Sequence, residues 1–229
     1  MRVLSVALMM AFLVLPLRPA TPVAVPFDPV ALYGPELSFR VLRDGAEIGR
    51  HVVNFRPDGQ ALRVSARFDA VVRFLGIPVY RFDYRSEARW QEGRMQRIAA
   101  SVNDDGTQRA IQAELHGDSV IVDGPKGLRQ VTAPLWPSNH WHPGVLAERR
   151  VLNTLTGGID TVRITPGTSE PVDTNAGPVT ARRYVYSGDL HDVVAWYDAA
   201  GRWVRLRFLG KDGTPIDYVC EQCVRSEGK

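Results

Sequence analysis

The chain has 229 residues, of which 45% are hydrophobic, and its 28 Lys and Arg residues slightly outnumber its 25 Asp and Glu residues. Two of the basic residues, Arg2 and Arg18, lie near the N-terminus, so the rest of the chain is almost neutral. The arginines are spread along strand patterns and form no basic cluster with interleaved aromatic residues, which excludes nucleic acid from the predicted partners.

The N-terminal residues have the pattern of a signal peptide. Arg2 is followed by an apolar run from Val3 to Leu17, which is shorter than the roughly 20 residues needed to span a bilayer. Ala20 and Ala24 are candidates for the residue before the cleavage site. We therefore expect residues 1–24 to be removed on export and the protein to be periplasmic or secreted. An uncleaved segment is the alternative, and it would then make the chain's one contact with a membrane.

An irregular, Pro-rich lead-in over residues 25–35 precedes a single β-rich domain, which we place at residues 36–223. Within it, pairs such as Asp44-Gly45 and Asp105-Gly106 separate strand-like runs. They predict tight hairpin turns, because glycine adopts a positive φ readily. The stretch 166–178 is rich in Pro and Gly and predicts a loop that contains at most one short strand.

Two runs show the clearest alternation of apolar and charged side chains, residues 61–75 and 78–91. Each run would have one apolar face and one solvent-exposed face. This pattern predicts antiparallel strands, since parallel strands are buried on both faces. A strand of about 14 residues would span roughly 45 Å, which is longer than a small flat sandwich can accommodate. About a dozen such runs thus predict a mainly β fold, a strongly curved antiparallel sheet forming a barrel or half-barrel. A sandwich is the alternative closure.

One stretch, residues 135–158, does not read as β-structure. Val145, Leu146, Leu152 and Leu155 fall roughly on one helical face, and Gly157-Gly158 would end the helix. The pattern predicts one helical insertion, over about residues 143–156, docked against the apolar face of the sheet.

Several motifs occur together in a fairly specific order: Arg43–Gly49 (RDGAEIG), Trp90–Arg94 (WQEGR), Asn139–Trp141 with Leu152–Gly157 (LNTLTG), Trp196–Asp198 with Gly201-Arg202, and Asp212-Gly213 with Ile216 and Tyr218. Over roughly residues 36–220 this set resembles a family of exported bacterial proteins classed as a domain of unknown function. The resemblance implies an exported β-rich protein and supplies no established activity or site residues. By analogy, the shape is expected to be similar to the open barrels of periplasmic lipoprotein and lipid carriers.

The two cysteines, Cys220 and Cys223, form a C-x-x-C pair near the C-terminus. In an oxidising compartment such a pair predicts a small local disulfide. Free thiols, a redox site and a metal site are the alternatives. A redox site normally lies at a helix N-terminus, and a tetrahedral zinc site needs two further ligands, which the sequence does not supply.

The sequence predicts no catalytic residue, no metal site and no cofactor. His140 and His142 form an H-x-H pair without an evident third ligand, in a Pro-rich turn. Ser138 lies close by, but the chain has no G-x-S-x-G motif. An unrecognised hydrolase that uses this region is the least favoured alternative.

Aromatic residues share the apolar parity of the two long strands. They form either the core or the wall of a cavity for an apolar ligand. The residues predicted to line such a cavity are Phe68, Phe74, Tyr80, Phe82, Tyr84, Trp90, Asn139, His140 and Trp141. We thus expect a non-enzymatic binding or carrier protein for a lipid or acyl chain. The second hypothesis is a structural or assembly protein of the cell envelope, which pairs with another envelope protein through sheet edges.

Overall fold

The computed structural model describes residues 27–225, so the predicted signal peptide lies outside the described residues. A short helix, α1 (Pro29–Tyr33), and a 3-10 helix (Pro143–Ala147) accompany fifteen strands. The strands are β1 (Glu36–Arg43), β2 (Ala46–Asp58), β3 (Ala61–Phe74), β4 (Ile77–Gln91), β5 (Arg94–Asp104), β6 (Thr107–His116), β7 (Ser119–Asp123), β8 (Arg129–Thr132), β9 (Trp136–Pro137), β10 (Arg150–Leu152), β11 (Ile159–Thr174), β12 (Gly177–Gly188), β13 (Val194–Asp198), β14 (Trp203–Leu209) and β15 (Pro215–Gln222). No helix within residues 27–225 combines the length and apolarity that crossing a bilayer requires.

All fifteen strands form one sheet, which confirms the predicted mainly β class. Its order is β8-β7-β6-β5-β4-β3-β2-β1-β15-β14-β13-β12-β11-β10-β9. Every neighbouring pair is antiparallel except β9 and β10. Each half of the chain is a run of hairpins, and the halves meet where β1 pairs with β15. Backbone pairing does not close the sheet, so β8 and β9 are its edges.

Hairpin turns follow the predicted chemistry. Four two-residue turns pair a residue of positive φ with a glycine of positive φ: Asp44-Gly45, Leu75-Gly76, Glu92-Gly93 and Asp105-Gly106. This geometry matches the right-handed twist of the flanking strands. In three of the four, the first residue is acidic, and the exception is Leu75.

The apolar side chains, which alternate along each strand, point into one core. Leu37, Phe39 and Val41 on β1 are fully buried, as are Val53 and Phe55 on β2. They belong to a core cluster that continues through both halves of the sheet to Trp203 and Tyr218. Burial of these side chains is the main stabilising term, at about 25 cal/mol per Å² of apolar surface.

The predicted helix over residues 143–156 is wrong beyond Ala147. Helical structure is limited to the 3-10 turn of Pro143–Ala147, and Arg150–Leu152 forms strand β10. Val151 pairs with Asp160 of β11 and with Trp136 of β9, and its side chain is fully buried. Backbone pairing with β11 thus overrides a helical periodicity that was spread over only four apolar residues.

The stretch predicted as a loop, residues 166–178, is mostly strand. β11 runs to Thr174 and pairs with β12, with an irregularity between Pro166 and Ser169. The lead-in also contains regular structure, because Asp28 caps the short helix α1 by accepting from Val30 N at 2.9 Å.

Candidate functional site

The insert, residues 135–158, packs on the inner face of the sheet and contacts both halves. The Trp141 ring lies 5.3 Å from Phe55 and 5.2 Å from Trp90, measured between centroids. On the other half, the Tyr197 hydroxyl donates to the His140 carbonyl at 2.7 Å. The insert therefore covers the apolar face that the sequence predicts it to cover, although by turns and short strands rather than by a helix.

Beside the insert is a cavity of about 340 Å³, here called the tryptophan cavity. Four elements supply its walls: the residues before and in α1, the β2–β3 turn, the end of β4, and the insert. Its apolar walls come from Phe27, Leu62, Trp90, Trp141 and the ring of His142. This volume is at the small end of the range for small-molecule sites, about 300–1,000 Å³.

The rings around this cavity pack against one another. Trp90 stacks on His142 with 5.6 Å between centroids and an interplanar angle of 17°. Phe27 lies 4.3 Å from the same imidazole. His142 Nδ1 accepts from Gly144 N at 3.0 Å, which fixes the imidazole at the start of the 3-10 helix. A Cβ at position 144 would lie 2.5 Å from the Trp136 ring, so glycine at this position lets that ring pack closely against the 3-10 helix.

Two polar groups at this site have no partner. Trp90 Nε1 and Trp141 Nε1 are both shielded from solvent, and within the described residues neither donates a hydrogen bond. A buried donor without an acceptor destabilises a protein by about 1–3 kcal/mol. Each indole therefore retains an unused hydrogen-bond donor.

The titratable side chains that line the tryptophan cavity are either acidic or uncharged. Asp28 and Glu92 line it, and no Lys or Arg of the described chain does. Burial lowers the pKa of His142 to about 4, so its imidazole is neutral at physiological pH. These groups favour a neutral ligand over an anionic one.

The residues predicted to line a ligand site separate into groups. Trp90 and Trp141 line the tryptophan cavity, whereas Asn139 and His140 precede Trp141 on the insert. The Tyr84 hydroxyl donates to Thr154 Oγ1 at 3.1 Å, which joins β4 to the insert.

The remaining predicted residues lie further along β3 and β4. Phe68 and Phe82 pack at 5.3 Å between centroids, and both are partly buried. The Tyr80 hydroxyl donates to Asp104 Oδ1 at 2.8 Å, and Phe74 is 67% exposed at a hairpin tip. Strand parity put these aromatics on one face, but it could not tell which of them extend beyond the sheet.

The histidines and the serine of the insert make separate contacts. His140 Nδ1 lies 3.2 Å from the Tyr186 hydroxyl, and burial lowers the His140 pKa to about 4. Ser138 Oγ accepts from Thr154 N at 3.3 Å. Within residues 27–225, no three His, Cys, Asp or Glu side chains converge in a way that could hold a metal ion.

Sequence reasoning missed Phe27, Leu62 and His142 as walls of the cavity. Phe27 lies in the lead-in, whose Pro-rich pattern indicates no packing, and the position of His142 in a Pro-rich turn predicts a loop or cap residue rather than a cavity wall. The one available signal was the aromatic content of the H-W-H run, His140 to His142.

Cys220 and Cys223 lie at disulfide-bonding distance, as predicted. Cys220 lies in β15 and Cys223 directly follows that strand, and both contact Asn175 of the β11–β12 turn. Asn175 Oδ1 accepts from Cys223 N and from Val224 N, both at 3.0 Å. The cysteine pair thus helps to hold the segment after β15 against the β11–β12 turn, and it does not line the tryptophan cavity.

Comparison with known proteins gave one match. The model of a family described as a domain of unknown function (DUF6134) matches residues 39–221. Searches of the curated proteins and of the solved structures found no match to the chain.

Proposed function

Because the chain belongs to the DUF6134 family, whose description states no activity, we propose a function from the chain's own geometry. The protein is a non-enzymatic binding or carrier protein for a neutral, apolar ligand that has a hydrogen-bond acceptor, such as the ester of an acyl chain. The observation that carries this proposal is the tryptophan cavity, which has aromatic walls and no cationic residue.

The chemistry of the walls supports this class of ligand. Phe27, Trp90 and Trp141 offer apolar ring faces, and Asp28 and Glu92 disfavour a carboxylate headgroup. The indole N–H groups of Trp90 and Trp141 have no acceptor among the described residues, and they are the donors that we assign to an ester or carbonyl oxygen of the ligand. A hydrogen bond made there contributes about 0.5–1.5 kcal/mol.

The finer architecture belongs to the same proposal: the open sheet curls into a half-barrel around the insert. Strands β8 and β9 are opposite edges, yet only residues 133–135 link them. That linker reaches at most about 14 Å. In a flat sheet of this order the edges would be roughly 65 Å apart.

An ion pair across the sheet supports the same curvature. Lys211 Nζ lies 2.7 Å from Asp104 Oδ2, although five strand spacings separate β5 from β15. Five spacings on a flat sheet correspond to about 24 Å.

Export is also part of the proposal, with residues 1–24 removed and the protein periplasmic or secreted. The support is the basic and apolar N-terminal pattern together with the bonded pair Cys220 and Cys223. Mass spectrometry of the protein recovered from the periplasm or the medium tests it. An intact N-terminus in the cytosolic fraction would contradict it.

Ligand binding is tested first by native mass spectrometry of the purified protein and by organic extraction. The second measurement is titration with a monoacylglycerol and with the fatty acid of the same chain length, read by tryptophan fluorescence. We expect the neutral ester to bind more tightly than the acid. A protein that is always empty and binds neither compound would overturn the carrier proposal.

Variants locate the site. We expect Trp90→Phe and Trp141→Phe each to weaken ester binding about three- to tenfold, through loss of one donor. The matched control is Trp196→Phe, because Trp196 Nε1 already donates to Glu170 at 2.7 Å, outside the cavity. If Trp196→Phe weakens ester binding as much as Trp90→Phe and Trp141→Phe do, the ligand does not bind in the tryptophan cavity.

The assembly hypothesis has less support. Its edges would be β8, with four residues, and β9, with two. Edges this short are poor templates for pairing with another chain.

A further inference from the structure

The β3–β4 hairpin extends beyond its neighbours. Pairing of β2 with β3 ends at Gly49 and Ala70, and pairing of β4 with β5 begins at Phe82 and Asp104. Residues 72–80, here called the arm, therefore form backbone ladders only with each other. An isolated two-stranded hairpin is marginally stable in water.

The tip of the arm is apolar and exposed. Phe74 is 67% exposed, Leu75 87%, Ile77 67% and Val79 54%. The other large exposed hydrophobic residues of the described chain, Leu128, Leu155 and Leu209, lie apart from one another in sequence. A contiguous apolar group of this kind marks an interaction site.

The turn of the arm is the exception among the four equivalent turns. Leu75 has a φ of 49° and occupies the position that Asp44, Glu92 and Asp105 occupy elsewhere. A bulky residue at positive φ is disfavoured, and Asn or Asp is preferred there. This turn therefore has an exposed apolar residue at a position where an acidic residue would be more stable.

Two arginines are the charged residues of the hairpin that lie nearest its tip, and the carboxylates at the base of the arm, Asp104 and Asp105, come from the neighbouring β5–β6 hairpin. Arg73 and Arg81 flank the apolar tip, and residues 70–82 contain no Asp or Glu. Within the described chain neither arginine lies within ion-pair distance of a carboxylate, although Asp105 Oδ1 accepts from the Arg81 backbone N–H at 3.3 Å. Asp69 and Asp83, just below, bind Arg67 and Arg85.

We propose that the arm inserts its tip into the surface of a lipid bilayer that carries anionic headgroups. The apolar side chains enter the boundary between headgroups and acyl chains, and Arg73 and Arg81 bind the phosphates above it. Such insertion reaches about 5–10 Å deep, and five residues of an extended strand reach about 17 Å. A flat protein surface or a second copy would cover one side of the tip, whereas a bilayer surrounds it.

This site is separate from the tryptophan cavity. β3 begins at the cavity with Ala61 and ends in the arm with Phe74, so the two lie at opposite ends of the strand. Membrane binding can therefore be measured, and can fail, independently of ligand binding.

The decisive measurement reads the tip itself. The variant Leu75→Cys is labelled with an environment-sensitive dye, and Leu128→Cys, at another exposed leucine, is the control. Cys220 and Cys223 are bonded to each other, so the introduced thiol is the one that reacts. The full chain is mixed with vesicles of phosphatidylglycerol and phosphatidylethanolamine, or of phosphatidylcholine alone.

We expect a blue shift and brightening of the dye at position 75 with the anionic vesicles, and none at position 128. No change at position 75, or an equal change at both positions, would overturn the proposal. So would a change that depends on protein concentration without vesicles, since that would identify a second copy as the occupant.

Two further variants separate the apolar contribution from the charge contribution. Leu75→Asp gives the arm the acidic turn chemistry of the other three hairpins, so the fold should be retained while vesicle affinity falls more than about tenfold. Arg73→Gln with Arg81→Gln should weaken binding to anionic vesicles about 25-fold, at about fivefold per arginine. Unchanged partitioning of both variants by dye response and flotation would contradict membrane insertion.

Discussion

His51 is a buried base that has no hydrogen-bond partner. Both ring nitrogens are shielded and unpaired within the described residues. Its ring lies 5.4 Å from Tyr218 and 5.8 Å from Trp203, between centroids. Burial, with a smaller contribution from nearby His140, lowers the His51 pKa to about 3. The imidazole is therefore neutral in the folded protein at all but strongly acidic pH.

Acid should destabilise the fold through this residue. Unfolded histidine binds a proton below about pH 6.5 and folded His51 only near pH 3, so stability falls as pH falls through that window. Between pH 7 and pH 5 the loss from His51 is about 2 kcal/mol. His51→Phe should remove this loss while staying within about 1 kcal/mol of wild type at pH 7. Urea denaturation at both pH values measures it.

The comparison variant is His191→Gln, at a histidine whose side chain is 74% exposed. If His51→Phe loses as much stability on acidification as the wild type, His51 is not the source of the acid sensitivity.

Tyr33 joins three parts of the molecule through one hydroxyl. It donates to the Trp141 carbonyl and accepts from Trp203 N–H, both at 2.9 Å, and the side chain is fully buried. We expect Tyr33→Phe to lower the free energy of unfolding by about 2–4 kcal/mol, since it leaves a buried donor and a buried acceptor unpaired. Chemical denaturation measures this loss. The control is Tyr184→Phe on a partly buried ring, and equal losses in the two variants would contradict the assignment.

At the scale of elements, the sequence predicts strands well and their exceptions poorly. Alternation and Asp-Gly turns depend on local chemistry, so β3, β4 and their neighbours could be placed from residues alone. The pairing of β11 through Pro166 and Pro171 could not, because a bulge and a partner strand accommodate prolines that in isolation indicate a loop.

The candidate site was predictable only in part, for the same reason. Trp90 and Trp141 were predicted as ligand residues and both line one cavity, although only Trp90 follows an alternating apolar pattern and Trp141 lies in the Pro-rich start of the insert. Phe74 follows the same parity as Phe68, but β2 and β5 end before reaching it. How far neighbouring strands extend is a property of the sheet, and no single strand encodes it.

Gly49 sets the close approach of β2 and β3. A Cβ there would lie 1.8 Å from the Asp69 carbonyl oxygen, which is a backbone atom and cannot move aside alone. Gly49→Ala should therefore lower the free energy of unfolding by about 3 kcal/mol or more. Thermal and urea denaturation measure the change.

Gly45→Ala is the comparison for this prediction. Gly45 has a φ of 80° but no atom within 4 Å of an added Cβ, so only the backbone strain of about 1 kcal/mol is expected. Equal destabilisation by the two substitutions would show that the close contact at Gly49 is unimportant.

At the scale of the whole molecule, Asp104 joins hairpins that are distant in the strand order. Its carboxylate accepts from Lys211 and from the Tyr80 hydroxyl, and it lies 3.5 Å from Arg109. The hydrogen bond from Lys211 is the largest contribution that lowers the Asp104 pKa. Its stabilisation is therefore present above the ordinary pKa of an aspartate and is lost as pH falls below it.

We expect Asp104→Asn to lower the free energy of unfolding by about 1–3 kcal/mol at pH 7, and by much less near pH 3. Lys211→Met should lower it by less than about 1 kcal/mol, because the lysine side chain is 80% exposed. A double-mutant cycle at the two pH values measures the coupling. A loss from Asp104→Asn that is the same at both pH values would show that the carboxylate charge contributes nothing.

Strands β1 and β15 adjoin at the middle of the sheet, where Phe39 pairs with Cys220. During synthesis β1 is made first, and β15 is made only after the thirteen strands that lie between them in the chain. The hairpins on either side are local and can form early, whereas this seam requires residues from both ends and closes slowly. Until the last strand emerges, the edge of β1 stays open in the centre of the molecule. Under the export proposed above, the late pairing of β1 with β15 would keep the chain from completing its fold before it crosses a membrane.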